Sequence, residues 1–120
     1  MKRLLVITAT VLGLALGATA TESKTLSAKE AKALIAKASK PEDHLKLARY
    51  YTAEATRLDA EAVDHAGMAA EYRANPQITE SKMPGATNTA SHCDSFTKSL
   101  KEAAGNARAL AADHAAMAKK

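Results

Sequence analysis

The hexapeptide Asp64-His65-Ala66-Gly67-Met68-Ala69 returns as Asp113-His114-Ala115-Ala116-Met117-Ala118, changed at one position and displaced by 49 residues (64 to 113). Forty-nine residues are seven heptads, so a helix carrying each copy presents it on the same face of a heptad lattice. The echo extends well beyond the hexapeptide: Leu47 maps to Phe96, Tyr51 to Leu100, Ala55 to Ala104, Ala62 to Ala111 and His44 to Cys93. Two long helices of one register, joined by a single loop, meet as an antiparallel hairpin.

The heptad phase shows which faces meet. His44, Tyr51, Leu58, His65 and Tyr72 share one phase of the first long helix, and Cys93, Leu100, Ala107 and His114 share it on the second. Four residues later in each heptad stands an alanine column: Ala48, Ala55, Ala62 and Ala69, then Ala104, Ala111 and Ala118. Small residues at that spacing let two backbones approach closely. Three of the four histidines, His44, His65 and His114, lie on this inward seam, where histidine is not the default occupant. Glu54 and Glu61 fall where a core prefers apolar residues, so one flank of the first long helix is expected to be wet.

Local signals set the boundaries. Leu26-Ser27-Ala28-Lys29-Glu30 has the form of a capping box, with Leu26 placed to staple against Ala31, and predicts a short helix over 27–38. Ser39-Lys40-Pro41-Glu42-Asp43 restarts the chain, with proline and acids at a helix beginning. The second helix is predicted over 41–74, where Asn75-Pro76 stops it. Residues 75–91 read as a loop rich in Ser, Thr and Asn around Met83-Pro84-Gly85, and Ser91 with Asp94 is placed to cap a third helix over 92–118. No segment alternates as a strand does, so the fold class is all-α: a long antiparallel helical hairpin plus a short N-terminal helix, as a three-helix bundle or a dimeric four-helix type.

Lys2 and Arg3 precede an apolar run from Leu4 to Leu16 and then Ala18-Thr19-Ala20, the pattern of a secretory signal peptide over 1–20. The expected mature chain, 21–120, is a single exported domain of the bacterial periplasm or the extracellular space. The formal charge of +4 rests partly on Lys2 and Arg3, without which 15 basic residues face 13 acidic ones. With both signs interspersed, nucleic acid is a poor partner, and no second apolar stretch predicts membrane insertion after the leader is removed. One Phe, three Tyr and no Trp leave alanine dominating the apolar residues, so the core is expected to be shallow; dimerisation is one remedy. Cys93 is the single cysteine, which excludes an internal disulfide and leaves an intermolecular one, a metal ligand or a packed bystander.

The residue types on the seam point to soft-metal chemistry. Histidine and methionine at i, i+3 share a helical face, and thiolate, thioether and imidazole together favour copper, Cu(I) above all, with zinc second. Pairing residue i with residue 158 minus i sets His44 opposite His114 and His65 opposite Cys93. Two pseudo-symmetric clusters follow: His65, Met68 and Cys93, and His44, His114 and Met117. Matching helix ends instead would shift this register by about six residues, roughly 9 Å, and separate the partners. His92 joins Cys93 in one donor set only if the helix begins at or after them, because adjacent helical residues point about 100° apart. The competing expectation is a structural or protein-interaction module whose seam histidines merely pack, as a homodimer, a Cys93-linked one included, or with another exported protein. No enzyme is expected: the chain has no Cys-x-x-Cys-His for covalent haem, and a thin hairpin offers no pocket to orient a nucleophile and base.

The stretches "PEDHLKLARYYTAEA", "HAGMAAEYR" and "SHCDSFTKSLKEAAGNARALAADHAAMA" resemble a group of small exported bacterial helical proteins with paired His-x-x-Met motifs and one His-Cys pair. The resemblance covers roughly residues 41–118. It implies no activity and transfers no functional residue; it adds that the His, Cys and Met pattern is not peculiar to this chain.

Overall fold

The computed structural model describes residues 24–75 and 89–120; the expected leader and most of the expected loop, Met83 included, lie outside them. Three helices follow in order: α1 (Ala28–Ile35), α2 (Pro41–Ala74) and α3 (Thr89–Met117). No strand occurs among the described residues.

The capping box forms as the sequence predicts: the Ser27 hydroxyl accepts from the Glu30 N–H at 3.3 Å, and the Glu30 carboxylate accepts from the Ser27 N–H at 2.8 Å. The Ser27 backbone N–H first, and the Ser27 hydroxyl second, hold the Glu30 carboxyl below its ordinary pKa. α1 closes earlier than the expected 38, since the Lys37 N–H turns back to the Leu34 carbonyl at 3.0 Å. The chain then needs its next residues to reverse direction, and Lys40, forced extended before Pro41 (φ −104°, ψ 150°), is the last of them. α2 has the expected bounds. Asp43 accepts from the Ser39 and Lys40 N–H groups, each at 3.4 Å, and Asn75 donates through its side-chain amide to the Glu71 carbonyl at 3.2 Å.

α3 begins before its expected start, at Thr89, and Ser91 is a helical residue whose carbonyl accepts from the Ser95 hydroxyl at 3.0 Å. Thr89-Ala90-Ser91 carries more than one residue with capping chemistry, and cap preference alone does not choose among them. His92 and Cys93 therefore both lie within the helix. Their side chains diverge, and the four-donor set that would have needed both is not available.

α2 and α3 pack as an antiparallel hairpin, and α1 packs against α2. Ala55, Ala62, Ala69 and Ala104 of the predicted column are buried at 2% exposure or less, whereas Ala48, Ala111 and Ala118 are half-buried. Ala55 and Ala104 are equivalent in the 49-residue repeat and stand where its two halves cross. Thr97 holds the column position that alanine occupies elsewhere, its hydroxyl bonded to the Cys93 carbonyl at 2.9 Å and reaching the Ala62 carbonyl at 3.4 Å. Among the described residues the only large one buried outright is Leu47, on the helix against which α1 packs; its repeat mate Phe96 is 58% exposed. The wet flank is as expected, with Arg57 held by Glu54 at 2.6 Å and Glu61 at 2.8 Å. That hydrogen bond keeps the Glu54 carboxyl below its ordinary range.

The opposite flank carries two interhelical ion pairs, Asp59 with Arg108 and Arg73 with Asp94. Asp59 and Arg108 are themselves 49 positions apart, so this pair too lies on the pseudo-dyad. Both pairs are about half exposed, and each contributes on the order of 0–1 kcal/mol.

Candidate metal centre

The register of the hairpin decides whether the seam histidines meet. Facing positions add to 158 at His44 and His114, 159 at Ala62 and Thr97, and 161 at His65 and Phe96. Other cross-helix contacts add to more, 165 at Tyr51 and His114 and 167 at both ion pairs, so the donors meet at His44 and His114 while the pairing as a whole spans both arrangements.

At the end where α2 begins and α3 finishes, the His44 Nδ1 and His114 Nδ1 atoms stand 3.1 Å apart, with ring centroids at 5.3 Å and planes 26° from parallel. One Nδ1 must carry the proton and donate to the lone pair of the other, so the pair is held in complementary tautomers. The Tyr51 ring lies parallel to His114 on centroids 5.8 Å apart, one heptad beyond His44. Desolvation first, and the neighbouring His44 second, lower the His114 pKa against the opposing pull of Asp113. A lowered pKa leaves the imidazole neutral at pH 7, the form that offers a lone pair to a metal. Met117 follows His114 at i+3, but its side chain is on the flank, 42% exposed.

The second cluster is arranged differently. His65 stacks on Phe96, centroids 4.9 Å apart and planes 9° from parallel, three residues along α3 from Cys93. Its Nδ1 is buried and has no hydrogen-bond partner. Leaving such an atom unpaired costs about 1–3 kcal/mol. Cys93 is a free, half-buried thiol, and Met68 is 42% exposed, as is its repeat mate Met117. Among the described residues no group of three or more His, Cys, Asp and Glu side chains converges to hold an ion. The arrangement therefore supplies one close pair of imidazoles with a thioether on the adjoining flank, and one imidazole sandwiched against a phenyl ring.

Two residues of these clusters were read from the sequence as positions of the repeat and not as part of the site. Tyr51 shares the heptad phase of His44 and so belongs to the same seam, a signal that was present. Phe96 is the repeat mate of Leu47, and it stacks on His65 where the donor-matching register sets Cys93. No protein-family model matches the chain, and no curated protein or solved structure is similar enough to be matched to it.

Proposed function

We propose that the protein is a small exported, non-catalytic helical module that binds a soft metal ion, copper as Cu(I) first and zinc second, through His44 and His114. The observation that carries this reading is the 3.1 Å separation of the two Nδ1 atoms across the hairpin. Two nitrogens each about 2.05 Å from one ion at a tetrahedral angle stand about 3.3 Å apart, whereas linear two-coordination needs about 4 Å. The pair thus accepts a bent ion with only a small opening of the rings. Met117 supplies a thioether from the same helical face, and a soft third donor favours Cu(I) over harder ions.

His65, Met68 and Cys93 form the subordinate site in this reading. The stack of His65 on Phe96 occupies one face of the imidazole with a packing contact, while its buried Nδ1 stays without a partner. The test is titration of the reduced protein with Cu(I) and Zn(II) against a competing chelator. Tight binding weakened by His114→Ala and unaffected by Cys93→Ser supports the His44–His114 site; equal loss with Cys93→Ser moves the ion to the other cluster. Binding no stronger than that of a variant lacking His44, His65 and His114 leaves a packing module with no metal.

A further inference from the structure

Tyr51 stands beside the two imidazoles of the site without being one of its donors. It shares the heptad phase of His44 on α2, and residues seven apart stand about 10.5 Å apart along a helix. The His114 ring, reaching across from α3, lies 5.3 Å from the His44 ring and 5.8 Å from the Tyr51 ring, so it fills the interval between them. Its plane is 7° from that of Tyr51 and 26° from that of His44, so its orientation follows the tyrosine more closely than the histidine. Tyr51 is braced in turn by its chain neighbour Tyr50, whose ring meets it edge to face at 5.2 Å and 70°. Both tyrosines are half-buried.

That orientation needs a cause, because the ring torsion of histidine is broad and roughly two-fold. A half-turn brings Cδ2 to where Nδ1 stood, and a quarter-turn takes the nitrogen lone pair out of line with a fixed partner. An aromatic ring in parallel, offset contact opposes the quarter-turn, which would drive the imidazole edge into the tyrosine face. Of the two flips that remain, the hydrogen bond to His44 selects the one that presents Nδ1.

We propose that Tyr51 is the positioning residue of the His44–His114 pair: its ring fixes the His114 imidazole in the plane from which Nδ1 faces His44, and so sets the tautomers of the pair and its affinity for an ion. The affinity rests on the metal-binding reading given above; the hold on the ring does not. The role needs an aromatic face and not a phenol, so phenylalanine serves at this position and an aliphatic residue does not.

Two readouts on the full chain test this. In the metal-free protein at pH 8, NMR of the imidazole nitrogens is expected to show one of His44 and His114 as the Nδ1–H tautomer, which the bond between the two Nδ1 atoms requires. Tyr51→Leu is expected to return both rings to the Nε2–H tautomer usual for free histidine, and Tyr51→Phe to restore the pair. Titration with Cu(I) against a competing chelator is expected to show affinity lowered about tenfold in Tyr51→Leu, the smaller end of what losing a residue that orients a metal-bound histidine costs, and recovered in Tyr51→Phe. Tyr72→Leu removes a half-buried ring three heptads along the same helix and is expected to lower the urea midpoint without moving either readout. Tautomers that shift in Tyr51→Leu, in a chain that binds no Cu(I), would support the hold on the ring and overturn the metal-binding reading. No Nδ1–H tautomer in the parent chain, tautomers unmoved by Tyr51→Leu, or either readout moved as far by Tyr51→Phe or Tyr72→Leu would each overturn the positioning role.

Discussion

The His44–His114 pair shows what a seam histidine costs and what it permits. An imidazole drawn partly out of water and placed beside another resists protonation, so the folded chain binds its proton more weakly than the unfolded chain does. Unfolded His114 titrates near its ordinary 6.5, and the folded group titrates lower. The stability associated with neutral His114 is therefore present above about pH 6.5 and is lost as the pH falls through the folded value. Urea midpoints of the metal-free protein, measured from pH 8 down to pH 5, are expected to fall, and His114→Gln is expected to flatten that fall. An unchanged slope would assign it to other groups. His65 predicts a different behaviour: its buried Nδ1 lacks a partner, so His65→Phe, which keeps a ring against Phe96 and removes the orphan, is expected to leave stability unchanged or raise it by about 1 kcal/mol.

The two long helices carry glycines that nothing in the hairpin requires. A Cβ built at Gly67 or Gly105 meets no heavy atom within 4 Å, and both positions are exposed in helix interiors. Gly67→Ala and Gly105→Ala are each expected to stabilise the fold by about 0.5–1 kcal/mol, read as a rise of several degrees in Tm. The seam is the opposite case. Ala55 and Ala104 are both buried outright on the seam, so Ala55→Leu or Ala104→Leu is expected to destabilise by about 1–3 kcal/mol, read by urea denaturation. Near-neutral substitutions there would mean that the helices do not touch along the alanine column. The same elements show what was legible. The Ser27 capping box and the Asn75-Pro76 stop are local chemistry, and α2 has the bounds they imply. The start of α3 was not legible, because Thr89 and Ser91 both have capping chemistry and cap preference alone does not choose between them.

For the whole molecule the decisive variable is register, and the repeat narrowed it without fixing it. Seven heptads of offset left two ways to pair the helices, one matching donors and one matching ends; the donors at His44 and His114 meet. The other half of the site was only partly legible. A pseudo-symmetric sequence predicts two equal clusters, but α1 packs against α2, Leu47 is buried where Phe96 is exposed, and His65 lies against Phe96. A repeat records equivalence of sequence, and the short helix outside the repeat removes equivalence of environment. Among the described residues no helix is long and apolar enough to cross a membrane. The most direct test is a double-mutant cycle on Cu(I) affinity with His44→Ala, His114→Ala and the pair. If both imidazoles hold one ion, each single substitution weakens binding strongly and the double adds little to either. Additive losses, or no loss from either, would contradict a shared ion and with it the reading of His44 and His114 as one site.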